Sequence, residues 1–168
     1  RATVLGRSER LDAMSAAFIN GISSSVHTFD DTHLATLTHP TGPIAAALLA
    51  LSEIKPLMGA DFLNAMILGM EIECRLGNLL IAPPAKGKVG WFMTGLTGGM
   101  GAAVAVGKAL CLSEEQLVWA LGNAVLQAAG LREVHASMGQ SFPTGHAARA
   151  GLLAALLAAK GFTSAEST

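Results

Sequence analysis

Between Lys88 and Lys108 the chain reads VGWFMTGLTGGMGAAVAVG, an uncharged run in which glycine, alanine and threonine outnumber the large side chains. No other feature constrains the fold as strongly. A helix made of such residues has a smooth surface that lets a neighbouring backbone approach closely, so it belongs in the centre of a bundle or at an obligate subunit contact. Gly95, Gly99, Ala102, Ala103 and Val106 fall at helical spacings, and GLLAALLAA near the other end of the chain offers a second smooth face. The run is just long enough to cross a bilayer, but its glycines and threonines make it a poor insertion segment. The richer stretches Ile44 to Leu51 and Gly151 to Ala159 are too short to span. A buried helix of a bundle is expected, with no membrane association.

The remaining segments read as helices as well. Ser8 can cap a helix toward Phe29 that carries Leu11, Met14, Phe18, Ile22 and Val26 on one stripe. Pro43 suits a first helical turn leading into Ile44 to Glu53, and Asp61 places an acid in the first turn of a helix toward Leu80. The central helix is expected over Thr94 to Leu110. Ser113 and Gln116 form a capping box for a helix to about Ala129. A last helix covers about His146 to Lys160, ended by Gly161. Loops are expected at Asp30 to Gly42, at APPAKGKVG and at GLREVHASMGQSFPTG. Period-two alternation is missing, so no sheet is expected. The fold class is all-α: a helical bundle with closely packed, Gly/Ala-rich central helices.

Charge narrows the function. Charged residues make up 14% of the 168, against roughly 25% in ordinary soluble domains, so part of the surface should be covered by a partner. Eleven Lys and Arg against twelve Asp and Glu leave no cationic excess for nucleic acid. Cys74 and Cys111 cannot make a disulfide framework, and no signal-peptide pattern occurs, which suits a cytoplasmic setting. The chain starts at Arg1 without a methionine, and Thr163 with Glu166 forms a capping box two residues before the end. These two signs predict an internal piece of a longer protein.

Familiar cofactor motifs fail. GAAVAVGK has Ala102 where a phosphate loop needs its first glycine, and Ala109 where it needs Ser or Thr. Neither cysteine belongs to a CxxC, no HExxH occurs, and His27, His33 and His39 are six apart, so no metal site is expected. What remains is FDDTHLATLTHPTGP, with two acids, a hydroxyl and two histidines between apolar helices. His39 is the best general base by residue type. Thr41, Gly42 and Pro43 then open a helix whose free N–H groups form an anion site. A base beside such a helix end suits proton abstraction next to a substrate carboxylate. The competing reading is that Asp30, Asp31 and Thr32 only cap a turn, with solvated histidines.

The segments FDDTHLATLTHPTG, GWFMTGLTGGMGAAVAVGKALCLSEEQ and GLREVHASMGQSFPTGHAARAGLLAALLAAKGFTS, taken in order, resemble the MmgE/PrpD family. That family includes 2-methylcitrate dehydratase, cis-aconitate decarboxylase and iminodisuccinate epimerase. The resemblance implies that residues 1–168 belong to the family's large helical domain, with preceding helices and a following α+β lid domain absent here. It further implies a homodimer that works without metal or organic cofactor. His39, in THP, is similar to the family's active-site histidine, and Thr32, in DDT, to a substrate-contacting threonine.

Other positions depart from the family pattern. Thr28 stands where many members carry a further acid, and Phe92 where a histidine often follows Gly-Trp. Gln140 and Pro143 replace a lysine and a histidine. Lysine would bring a full positive charge to a substrate carboxylate, whereas Gln140 brings a neutral amide, a loss worth on the order of a hundredfold in rate. Arg132 is another source of charge, but nothing in the sequence brings it to the site. The resemblance therefore implies a lyase, foremost a hydro-lyase like 2-methylcitrate dehydratase and otherwise of decarboxylase type, acting on a small di- or tricarboxylic acid by proton abstraction next to a carboxylate. His39 would be the acid/base, Asp30 and Asp31 would orient it or the substrate, and Thr32, Thr94 and Gln140 would bind substrate. An epimerase of an amino-dicarboxylate, which needs no leaving-group acid, is the alternative. A homologue or fragment that only self-associates is the third reading.

Overall fold

A computed structural model of the protein describes residues 1–81 and 90–165. Six α-helices form among them: α1 (Ala13–Ser25), α2 (Thr41–Ser52), α3 (Gly59–Ile81), α4 (Met93–Ala109), α5 (Glu114–Val125) and α6 (Phe142–Ala158). Ahead of them lies a two-residue antiparallel pair, β1 (Ala2–Thr3) with β2 (Arg10–Leu11). The class is all-α, as expected, and this small hairpin departs from the expectation of no sheet. Two residues per strand are too few to show an alternating pattern. The hairpin also displaces the expected cap: Asp12, not Ser8, starts α1 by accepting the Ser15 N–H at 3.0 Å. At its other end α1 stops at Ser25, and Thr28 adopts φ 50°, a left-handed conformation that ends the helix before Phe29.

The glycine-rich segment is the central helix. Nearly every residue of α4 is buried, and it packs mainly against α6 and α3. Small residues make this possible. A Cβ on Gly69 of α3 would lie 2.6 Å from the Gly101 carbonyl oxygen, and one on Gly151 of α6 would lie 2.5 Å from the Gly99 carbonyl oxygen. Backbones therefore touch directly, which maximises dispersion contact where no large side chain fits. Around this axis Ile44, Leu48 and Leu51 of α2 and Leu152 of α6 supply the bulk of the core.

The capping box of α5 forms in both directions, Ser113 with the Gln116 N–H and Gln116 with the Ser113 N–H. This helix ends at Val125 rather than Ala129, because Ala129 turns back to donate its N–H to the Gly95 carbonyl. The polar segment after it holds two short 3₁₀ turns, Arg132–Val134 and Met138–Ser141. It gives way to α6 at Phe142, four residues earlier than expected, with Pro143 in the first turn where its missing N–H costs nothing. Gly161 has φ 82° after the end of α6. The expected loop APPAKGKVG falls almost wholly outside the described residues, as does Glu166 of the terminal capping signature. Among the described residues no helix is long and apolar enough to cross a membrane.

Candidate active site

The loop between α1 and α2 gathers its polar groups around one imidazole. His39 Nδ1 lies 2.9 Å from the Asp31 backbone carbonyl, 3.3 Å from Thr32 Oγ1 and 3.4 Å from Asp30 Oδ1. A carbonyl only accepts, so Nδ1 carries the proton and donates it to Asp31. In the neutral ring this leaves the Nε2 lone pair for chemistry. The Asp30 carboxylate lies on the same side of the ring as Nδ1–H, away from Nε2.

From below, the His39 backbone N–H donates to Thr94 Oγ1 at 2.9 Å. Thr94 is wholly buried in the first turn of α4, so it holds the histidine's backbone and lies under the cavity rather than in its wall. Asp31 has a second task, since its carboxylate oxygens accept the Thr41 N–H at 3.2 and 3.3 Å. The N-terminus of α2, expected to be open to a substrate anion, is thus already occupied by a carboxylate of the same loop. A neighbouring groove of about 340 Å³ is lined by Asp30, Asp31 and Thr41.

His39 opens onto a cavity of about 470 Å³, whose wall also includes Thr32, Trp91, Phe92, Arg132 and His135. Arg132 and His135 come from the segment before α6. They arrive there because the Phe92 N–H donates to the Gly130 carbonyl and the Arg132 N–H to the Gly90 carbonyl, both at 3.0 Å. Trp91 and Leu131 form the bridge between these bonds. The Phe92 ring then stands between two imidazoles, 6.0 Å from His39 and 5.5 Å from His135, the latter edge-on. The residue standing where a histidine was expected is therefore an apolar wall between two histidines.

Gln140 shares a small recess of about 40 Å³ with His39, Asp30, Phe92 and His135. Its Oε1 accepts the Ala136 N–H at 3.1 Å and so also holds the loop that carries His135. The structure thus brings His39, Asp30, Asp31, Thr32 and Gln140 together, with Thr94 beneath. It adds Arg132, a permanent cation, and His135, neither of which the sequence located. The hint available was weak: both lie in a polar loop, and pairing across some forty residues gave no local signal. His33 is engaged elsewhere, its Nδ1 being 2.7 Å from Thr36 Oγ1. No group of three or more His, Cys, Asp or Glu among the described residues is disposed to hold a metal ion.

Comparison with known proteins shows the family. The family description MmgE/PrpD N-terminal domain matches residues 1–168. The chain is 36% identical over 167 residues to a cis-aconitate decarboxylase of Homo sapiens, a match covering 95% of this chain and 34% of that protein. It is 32% identical over 165 residues to a cis-aconitate decarboxylase of Aspergillus terreus, covering 95% and 34%. A cis-aconitate decarboxylase-like protein of Aspergillus oryzae is 32% identical over 168 residues, covering 95% and 35%. The chain spans about a third of the length of the curated relatives it matches.

Proposed function

The chain belongs to the MmgE/PrpD family, and on that premise we propose that it carries the acid/base half of a lyase site for a small di- or tricarboxylic acid. One observation carries the reading: His39, with its Nδ1 committed to Asp31, shares a cavity of about 470 Å³ with Arg132. An arginine binds a carboxylate through two parallel hydrogen bonds and keeps its charge at any working pH. It restores the full positive charge that Gln140 lacks.

The similarity to cis-aconitate decarboxylases favours decarboxylation over dehydration. In that reaction a carboxylate leaves as CO₂ and the carbanion left behind is protonated. Protonated His39 Nε2 is the donor, and Arg132 holds a carboxylate that stays. In a dehydration the same nitrogen, neutral, would instead remove a proton next to a carboxylate. Positioned acid/base groups of this type contribute about a hundredfold to ten-thousandfold. The reading requires neither a metal nor an organic cofactor. It includes a homodimer, a reading supported by exposed apolar side chains such as Phe29, Leu34, Leu126 and Met138.

A second reading has its own observation. His39 and His135 flank the Phe92 ring on one cavity, an arrangement that suits removal of a proton by one base and return by another. That is the requirement of an epimerase. Incubating the full-length protein in D₂O with cis-aconitate, 2-methylcitrate and a chiral amino-dicarboxylate, followed by NMR, separates the two. Release of CO₂ or a new alkene supports the lyase. Deuterium exchange with loss of chirality supports the epimerase. A stable dimer that changes none of the three refutes both and leaves self-association alone.

A further inference from the structure

We propose that Glu73, buried between α3 and α4, is a positioning residue for the His39 loop. Glu73 is completely buried, and neither of its carboxyl oxygens has a hydrogen-bond partner among the described residues. The backbones of α3 and α4 come close together beside it. A Cβ on Gly101 would lie 2.8 Å from the Gly69 carbonyl oxygen and 3.0 Å from Glu73 Cβ.

The surroundings select the protonated form. Burial pushes the carboxyl well above its ordinary range, and the Asp31 carboxylate adds to the rise, opposed by the nearby Thr97 hydroxyl. The titratable groups that face it are Asp31, from the loop before α2, and Cys74, its neighbour on α3. An ionised carboxylate only accepts hydrogen bonds, yet the Thr97 hydroxyl already donates to the Met93 carbonyl at 2.9 Å. As a neutral acid, Glu73 places no uncompensated charge between α3 and α4.

Two routes link that acid to the imidazole. Thr97 grips the first turn of α4 at Met93, and the next residue, Thr94, accepts the His39 N–H. On the other side stands Asp31, whose backbone carbonyl accepts the hydrogen bond from His39 Nδ1–H and whose carboxylate caps α2. Charge on Glu73 would repel the Asp31 carboxylate and strain both supports at once. Glu73 itself is not part of the cavity wall, so it acts through others.

The sign of the pH effect follows from the raised value in the folded state. The contribution is fully present below the ordinary carboxylic range and is lost as pH climbs from there through the folded value. The wild-type protein should therefore weaken as pH rises, and Glu73→Gln, which keeps an uncharged donor, should not weaken through this group. Glu73→Leu replaces the polar group by an apolar one of similar size, and such a change is often neutral or stabilising.

The test uses the full-length protein and its Glu73→Gln and Glu73→Leu variants. Melting temperature and kcat/KM on cis-aconitate are followed from about pH 5 to about pH 9, together with the ¹³C signal of the His39 ring. Glu73→Gln should keep near-wild-type kcat at pH 6 and lose less of its melting temperature toward alkaline pH. Glu73→Leu should melt no lower at neutral pH, shift the His39 signal and lose about tenfold or more in kcat with little change in KM. The proposal rests on His39 as the acid/base, but two of its readouts do not. If the wild type turns over no cis-aconitate, that reading fails while the melting profiles and the His39 signal still decide on Glu73. Should Glu73→Leu fail to fold, Glu73→Gln carries the decision. Parallel pH profiles of melting in wild type and Glu73→Gln overturn the proposal, as does a Glu73→Leu protein with wild-type kcat and an unmoved His39 signal.

Discussion

Gly95→Ala tests how the site is assembled, because Gly95 lies where the two strips of backbone around the cavity meet. A Cβ at this position would stand 2.2 Å from the Ala129 carbonyl oxygen and 3.0 Å from Pro143 Cβ. To reach even the 3.0 Å below which such contacts are essentially never seen, α4 and the 129–130 backbone must part by about 0.8 Å. Neither neighbour is a flexible side-chain tip, so the strain is not relieved locally. Overpacking costs about 1–3 kcal/mol, and weakening the Ala129 N–H bond to the Gly95 carbonyl adds roughly 1 kcal/mol. Alanine returns about 1 kcal/mol through its helix propensity. The net loss is then about 2 kcal/mol, measurable as a lower urea midpoint at unchanged m-value. The same displacement moves Gly130 to Arg132 against Gly90 to Phe92, the pairing that brings Arg132 to the cavity. A shift approaching 1 Å at reacting groups costs on the order of a hundredfold in kcat/KM. Gly59→Ala is the control: a Cβ there would meet no atom within 4 Å, so this change should be neutral or slightly stabilising. A Gly95→Ala protein as stable and as active as wild type would refute the packing argument.

Other perturbations address single groups. Arg132→Ala should lower kcat/KM by about a hundredfold without loss of stability, whereas Arg132→Lys should recover only part of it, as steady-state kinetics would register. Replacing His135 by Phe should leave a decarboxylase within about tenfold of wild type but abolish loss of chirality if the protein is an epimerase. Asp12→Ala removes the cap of α1 and should cost about 1 kcal/mol at neutral pH. The hydrogen bonds from Ser15 hold the Asp12 carboxyl below its ordinary value, so that contribution is present above the ordinary range and is lost as pH falls through the lowered value. Chemical denaturation of both proteins at neutrality and in progressively more acid solution should show the difference shrink as pH falls below the ordinary carboxylic range.

The helical order was legible because its signals are local. The Ser113–Gln116 box, the smoothness of α4 and the stop at Gly161 each act within one or two turns. The cluster at His39 was legible for the same reason, since Asp30, Asp31 and Thr32 lie within nine residues of it and converge on one nitrogen. Features set by distant pairing were not. Arg132 and His135 reach the cavity through backbone bonds to residues 90–92, and such bonds carry no side-chain pattern. Glu73 is buried only by the register of α3 against Gly101, a long-range contact that no local pattern in MEIECRLG signals. Asp31 is expected to orient His39 or the substrate, and whether a loop carboxylate meets a substrate or the nearest helix end depends on a few ångströms of backbone.

The central claim is that His39 exchanges the proton in the cavity it shares with Arg132. Its most direct measurement compares CO₂ release from cis-aconitate by full-length wild type and His39→Ala, with circular dichroism establishing that both are folded. The account predicts release by wild type and a fall of about a hundredfold or more in the variant. A folded His39→Ala protein with wild-type kcat/KM would contradict it.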